Sequence, residues 1–467
     1  MQKRSLQGLL KEFEDTLKSK PGRTRMIEHS IDTGSAQAIR LPPYRLPYAY
    51  RDVITKELKE MLEDGVISRS TSEWAAPVVL ITKKNGEIRF CVDYRRLNSI
   101  SRTDSYPMPR VDELIDRLGS ANYISTLDLS RGYWQVPMSA QSRAKTAFVT
   151  SYGLFEFNVM PFGLQGAPST FQRMMDQLLR GLEDCAAAYL DDLVIHNATW
   201  PEHLASLRKV LERLRTAGLT AKPSKCHFAM KECTYLGHIV GNGQVRPEIG
   251  KLTAVEDFPV PKTKKKEVRT FLGLTGYYRK FVPCYASLAA PLTELTRSNA
   301  PTIVKWTTSC NTAFMDLKRL LCSSPVLQCP DFSRPFILQT DASDWGVGGV
   351  LSQLDQEGLD HPVAYFSRKL LPRERRYATV EKECLAIKLA IQAFRVYLLG
   401  KQFRIVTDHH ALEWLDRLKT DNARLTRWSL SLQPYHFTVT YRPGKCNGNA
   451  DALSRRTSSP LENVEGV

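Results

Sequence analysis

The stretch "AYLDDLVI" (residues 188–195) sets two adjacent carboxylates, Asp191 and Asp192, inside an apolar run with strand character. Neighbouring aspartates repel each other and resist burial unless a cation sits between or beside them. Asp favours turns, while Tyr189, Leu193, Val194 and Ile195 favour strands, so the plainest reading is a hairpin tip. The sharper reading is a divalent-metal site for phosphoryl chemistry, which needs at least one more carboxylate from elsewhere in the chain.

Upstream, "NYISTLDLSRGYWQVPM" (residues 122–138) reads as another strand, with Asp128 near the end of its first apolar run. If the two strands are neighbours in one sheet, three carboxylates converge and can hold two Mg²⁺ ions. Such a pair activates a 3′-hydroxyl, stabilises charge on an α-phosphate and helps pyrophosphate leave.

The rest of the chain sets bounds on that reading. Its 467 residues predict two to four domains, with 42% apolar residues for ordinary cores. A formal charge of +16, with 24% charged and 9% aromatic residues, predicts a folded protein with a polyanionic partner. The ten cysteines form no C-x-x-C pair, which argues against a zinc ribbon and fits a reducing compartment. No apolar run approaches a membrane span, and the first twenty residues read as an amphipathic helix without signal-peptide character, so the expectation is a soluble intracellular protein.

Local patterns place the remaining elements. Residues 51–67 read as a helix stopping at Gly65, and residues 76–84 and 87–95 as strands joined by Asn85-Gly86. Residues 146–160 read as strand, and a helix follows Pro168. Residues 200–218 show a leucine stripe (Leu204, Leu207, Leu211, Leu214), with Pro201 in the first turn and Gly218 at the end. "PVPKTKKK" (residues 259–266) reads as a domain boundary or a basic helix start facing nucleic acid, and from Phe336 a separate α/β pattern begins, with a long helix over 379–399.

Taken in order, "FCVDYRRLN", "LDLSRGYWQ", "KTAFVT", "MPFGLQGAPSTFQRMM" and "YLDDLVI" resemble the motifs of reverse transcriptases, and "YLGHIV" and "FLGLTGYYRKF" resemble their primer grip and thumb. The version resembled most is that of gypsy-type (metavirid) LTR retrotransposons, over about residues 29–455. The resemblance implies a right-hand polymerase (fingers, palm, thumb), of α/β and α+β multidomain class, followed by a ribonuclease H-like α/β domain. It implies Asp128 and Asp191 as metal ligands and Asp192 as a supporting acid. Lys83 and Arg89 would grip the incoming triphosphate, Tyr133 would be the steric gate beneath the sugar, and Phe162 and Gln165 would line the templating pocket. Retroviral enzymes carry "LPQG" where this chain has "MPFG", so Phe162 offers packing in place of an amide hydrogen bond.

A second carboxylate series, Asp341, Glu383, Asp408 and Asp451, is similar to that of ribonuclease H. Gly346, Gly348 and Gly349 fit a tight hairpin after Asp341, and His409 and His410 are expected in solvent-facing or loop-packing roles because no zinc-like spacing accompanies them. Helical phase puts Glu383 with Ile387, Ala390, Ile391 and Phe394 on the sheet side, and Glu381 on the wetter side.

Expected boundaries are 1–39 for an N-terminal extension, 40–240 for interleaved fingers and palm, 241–300 for the thumb, 301–330 for a linking segment, 331–456 for ribonuclease H and 457–467 for a polar tail. The implied cofactor is Mg²⁺, two per active site, with Mn²⁺ as a substitute. The implied partners are an RNA template, a DNA primer, RNA–DNA hybrid and deoxynucleoside triphosphates, with no membrane and with homo-oligomerisation left open. The expected setting is the cytoplasm, in virus-like particles of the element, with nuclear entry open. Polyproteins of this family also carry protease and integrase, so the chain reads as an excised or processed unit. Two rivals remain: an RNA-dependent RNA polymerase, which would usually lack a bulky aromatic at 133 and the nuclease domain, and a domesticated, inactive nucleic-acid-binding protein, in which the seven acids would be the first to decay.

Overall fold

The computed structural model describes residues 2–44, 50–82, 88–119, 121–261, 264–323, 325–407 and 422–441. The chain divides into two compact units, Met1–Tyr235 and Leu236–Val467. Among the described residues no helix is long and apolar enough to cross a membrane.

The centre of the first unit is an antiparallel four-stranded sheet in the order Ala186–Tyr189, Asp192–Asn197, Tyr123–Asp128, His227–Met230. Helices Ala167–Leu179 and Trp200–Thr216 supply the apolar layer against it, through Phe171, Met174, Met175, Leu178, Leu207, Val210, Leu211 and Leu214. The leucine stripe is the buried face, as amphipathic spacing requires, and Gly218 ends the second helix at φ +70°. A five-stranded sheet runs Ile67–Arg69, Gly153–Phe157, Phe148–Thr150, Ala76–Thr82, Ile88–Val92, and a second core around Ile54, Leu58, Phe148 and Phe155 packs beneath it.

Two strand expectations shorten. Within 122–138 the strand stops at Asp128, and residues Gly132–Gln135 form a 3₁₀ turn. Arg131 takes φ 47°, and a Cβ on Gly132 would lie 3.0 Å from Phe171 Cζ and 3.2 Å from Asp191 Cβ, so the chain passes close to the site at a residue without a side chain. Residues 146–160 are a hairpin, Phe148–Thr150 and Gly153–Phe157, turned by Gly153 at φ +128°.

The N-terminal segment joins the core of the first unit. Leu9 is buried on the helix Gln2–Glu12, and the Phe13 ring behind it lies 4.2 Å beneath the Arg215 guanidinium; Arg208 and Arg215 pair with Glu12 and Asp15.

The second unit begins with strands His238–Gly241 and Gln244–Pro247 paired to Leu327–Gln328, and with helices Ile249–Glu256, Lys265–Tyr277 and Thr308–Cys322. The basic stretch 259–266 lies inside this unit, leading into the helix Lys265–Tyr277. A five-stranded sheet follows, ordered Asp360–Lys369, Gly346–Leu354, Phe336–Ala342, Gln402–Thr407, His436–Tyr441, antiparallel on the first side and parallel on the second. Helix Thr379–Ala393 covers one face through Ile387, Ala390 and Ile391. The expected tight hairpin after Asp341 is present, with Gly346, Gly348 and Gly349 on its second strand, Gly346–Leu354. A Cβ on Gly349 would meet Ala390 Cβ at 3.0 Å, and one on Gly346 would meet Ser287 Oγ at 2.6 Å, so a side chain at either position would crowd its neighbour.

Candidate active sites

In the first unit the sheet register puts Asp128 directly opposite Asp192, and Tyr189 pairs with Asp192 to close the hairpin that carries Asp191 in its turn. Leu190 takes the left-handed conformation, φ 55°, which a branched-chain residue adopts only when its surroundings hold it. Gln172 does that holding. Its buried side-chain amide donates to the Ala188 carbonyl (3.0 Å), and its Oε1 accepts the Leu190 N–H (2.9 Å). The Asp191 carbonyl also accepts the Leu129 N–H at 3.3 Å, tying the turn to the end of Asp128's strand. The hairpin tip and the acid site are therefore one place.

Electrostatics follow from that crowding. Desolvation raises the Asp191 carboxyl, and the Asp128 charge adds to the rise. Asp192 keeps an exposed side chain, yet is pushed up to about 6 by desolvation and then by the Asp191 and Asp128 charges. Lys225, absent from the sequence reading, donates from Nζ to Asp128 Oδ2 at 2.9 Å, and this bond raises its own pKa. Only the lysine's arrival through the turn Pro223–Lys225 makes it a partner, and a single lysine in a loop gives no sequence signal of that.

Tyr133 is half-buried, with its ring 5.2 Å from Phe162 and 5.4 Å from Phe171, and burial followed by the Asp191 charge pushes its hydroxyl to about 12. Phe162 is exposed, so its role here is to stack on Tyr133 from the solvent side. Gln165 is exposed and held by Thr103 Oγ1 at 3.0 Å, while its N–H donates to Asn98 Oδ1. Arg89 is exposed on strand Ile88–Val92, opposite Ile81. Lys83 lies outside the described residues.

In the second unit Asp341 pairs with Gly348 in the strand register, and the next residue's N–H (Ala342) donates to Glu383 Oε1 at 3.1 Å. That bond brings the helix acid to the strand acid, and both are buried. Glu381 points elsewhere, to Arg424 and Asn422, each at 3.1 Å. Strand Gln402–Thr407 runs beside Asp341's strand, but Asp408, Asp451, His409 and His410 lie outside the described residues.

Both centres offer carboxylate oxygens, the donors that Mg²⁺ prefers. In the first, the raised carboxyls of Asp191 and Asp192 and the Asp128–Lys225 pair mark a place where negative charge is short of cations. Among the described residues no three His, Cys, Asp or Glu side chains are close enough to enclose one ion, so the donor set fits by its chemistry and not as a finished cage.

Residues 81–240 match the family model "Reverse transcriptase (RNA-dependent DNA polymerase)", and residues 331–435 match "RNase H-like domain found in reverse transcriptase". The chain is 41% identical over 461 residues to the Retrovirus-related Pol polyprotein from transposon 297 of Drosophila melanogaster, covering 96% of this chain and 43% of that protein. It is 39% identical to the Pol polyprotein from transposon opus of the same organism (92% and 44%) and 33% identical to the Transposon Tf2-3 polyprotein of Schizosaccharomyces pombe (96% and 34%). It thus spans less than half the length of these relatives. Among solved structures, the foamy viral protease–reverse transcriptase dRH in complex with ds DNA has a TM-score of 0.83 at 24% identity, covering 94% of this chain and 78% of that one. The foamy viral protease–reverse transcriptase in complex with RNA/DNA hybrid gives 0.79 at 22%, covering 100% and 63%. At such identities the likeness is one of fold. With a reverse transcriptase domain and a ribonuclease H-like domain in this order, and relatives of these identities along nearly its whole length, the chain belongs to the reverse transcriptase–ribonuclease H family of gypsy-type LTR retrotransposons.

Proposed function

We propose that this chain copies RNA or DNA templates into DNA at the Asp128–Asp191–Asp192 centre and cuts the RNA strand of RNA–DNA hybrids at the centre containing Asp341 and Glu383. The observation that carries the reading is the register of Asp128 opposite Asp192, with Asp191 in the intervening turn. A primer terminus, a template and deoxynucleoside triphosphates are the substrates of the first centre, and hybrid is the substrate of the second. Two Mg²⁺ ions per centre, replaceable by Mn²⁺, would lower the cost of deprotonating the attacking hydroxyl or water and neutralise charge on the phosphate.

In this reading Asp128 and Asp191 hold the ions of the first centre, and Asp192 supports them. Lys225 compensates Asp128 until a cation competes for it. Tyr133, braced by Phe162 and Phe171, forms the floor under the sugar, Lys83 and Arg89 receive the triphosphate, and Gln165 lies along the templating segment. Asp341 and Glu383, with Asp408 and Asp451, hold the ions of the nuclease centre. The setting we assign is cytoplasmic particles of the element, with homo-oligomerisation and nuclear entry left to experiment.

The two centres are separable by charge removal. Asp191→Asn is expected to lose primer extension on an RNA template by orders of magnitude and to keep hybrid cleavage; Asp341→Asn is expected to do the reverse. Extension by Asp191→Asn near the parent rate would refute the assignment of the first centre.

A further inference from the structure

Beside the nuclease acids stands an exposed aromatic–cationic pair that the proposed chemistry leaves unused. Trp345 lies in the turn between Phe336–Ala342 and Gly346–Leu354, with 62% of its surface exposed. The Arg375 guanidinium lies over its ring, 4.4 Å from the centroid, and Arg375 Nε makes no hydrogen bond although it is buried. The indole presents an apolar surface to solvent, and a guanidinium on its face keeps edge N–H groups for an anion.

The pair is built, not draped. The Trp345 carbonyl accepts the Leu370 N–H at 2.9 Å, and the Ser343 N–H donates to the Gly346 carbonyl at 2.8 Å. Glu374, itself buried, accepts from Arg368 Nη2 (2.7 Å) and from the Leu371 N–H (2.8 Å), which pins the segment that carries Arg375. The same turn is tied to the acid-bearing helix: Lys382, next to Glu383, donates to Asp344 at 2.6 Å, while the Ala342 N–H reaches Glu383 itself. The turn that carries Trp345 is thereby fixed to the helix that carries Glu383.

We infer that Trp345 and Arg375 form a platform for the sugar–phosphate backbone of the hybrid, the arginine taking a phosphate and the indole packing on the adjoining sugar, and that this contact selects which phosphodiester reaches the nuclease acids. The two are positioning residues, and the inference rests on the nuclease reading above.

The test uses the whole chain with Trp345→Ala, Arg375→Ala and Trp345→Phe. Three readouts are followed: KM and kcat for cleavage of an end-labelled hybrid, the map of cut positions, and the footprint on the same hybrid in EDTA. Loss of one stacking or phosphate contact is worth about tenfold in KM. Both alanine variants are expected to show that rise with kcat within about twofold of the parent. Their cuts scatter over neighbouring positions, and protection at the nucleotides flanking the cut is lost. Trp345→Phe keeps most of the parent pattern, and primer extension is unchanged in all three. Parent-like KM, cut map and footprint in the alanine variants would overturn the platform, and so would a fall in kcat alone. A parent chain that binds hybrid without cutting it refutes the nuclease reading, while the footprint comparison still decides on the platform.

Discussion

Leu190 shows how much of the proposed polymerase site is backbone geometry. Its left-handed turn swings Asp191 out of strand register, Gln172 holds it there, and Gly132 leaves the room. Asp128, Asp191 and Asp192 stand out in the sequence as carboxylates in apolar runs, and it is the ordered motifs around them that give them their expected roles. Gln172 and Lys225 do not stand out, since a glutamine in a helix and a lysine in a loop acquire partners only through tertiary crossing. Tyr133, the proposed floor for the sugar, is half-buried between Phe162 and Phe171, so its ring has little room to yield to a 2′-hydroxyl. Tyr133→Ala is expected to raise the ribonucleotide to deoxynucleotide ratio of kcat/KM by about two to three decades, read by single-nucleotide extension with each sugar. A parent-like ratio would leave Tyr133 a core aromatic and reopen an RNA-polymerase reading of the palm. Asp192 supplies a pH signature. Its folded pKa, about 6, is above the ordinary 3.8, so its contribution to stability is fully present below about pH 4 and is lost as pH rises through 6. In EDTA, parent Tm minus Asp192→Asn Tm is therefore expected to fall between pH 4.5 and 7, modestly, because the side chain is exposed. Added Mg²⁺ should recover that loss most at the upper end, where the carboxylate is deprotonated. A difference that stays flat across the window would show that Asp192 is not perturbed.

Elements with a strong period are legible in the sequence, and close approaches between them are not. The helix Trp200–Thr216 buries its leucine stripe as its spacing demands. The strand in residues 122–138 ends at Asp128, just ahead of the Ser130-Arg131-Gly132 bend, and what the sequence does not show is how close Gly132 then passes to Phe171 and Asp191. The glycines after Asp341 fit the tight hairpin expected there, on its second strand, and two of them sit close to other parts of the fold, Gly349 facing Ala390 and Gly346 facing Ser287. Helical phase did hold on Thr379–Ala393, where Glu383 is buried against Asp341's strand and Glu381 turns to Asn422 and Arg424. Glu383→Gln is accordingly expected to lower hybrid cleavage by orders of magnitude. Glu381→Gln keeps one acceptor oxygen of two and loses the charge that faces Arg424, so it should cost about 1 kcal/mol of stability with kcat close to the parent. The reverse ranking in kcat, measured beside Tm, would mean that the wrong acid faces the substrate.

Over the whole molecule, a net charge of +16 favours association with a polyanion, but it does not say which cations would meet it. The basic run at the start of helix Lys265–Tyr277 looked uniform in sequence, and the fold divides it. Lys264 and Lys266 are exposed, whereas the Lys265 ammonium bonds the carbonyls of Arg297 and Ala300 and so is committed to holding a loop; Lys262 lies outside the described residues. Each lysine that neutralises a phosphate releases condensed counterion and adds about 0.9 to the slope of log K against log [salt] on duplex. Replacing Lys264 and Lys266 together with Gln is thus expected to flatten that slope by up to about 1.8 with no change in sequence preference. Lys265→Gln is expected to leave the slope alone and lower Tm, because it removes charge-assisted bonds within the protein and none to the nucleic acid. The measurement is hybrid binding in EDTA across a salt series for the three chains, with thermal melts beside it. An unchanged slope in the double variant would remove this helix start from the nucleic-acid surface. A flattened slope with Lys265→Gln would mean that its loop contact gives way when a phosphate arrives.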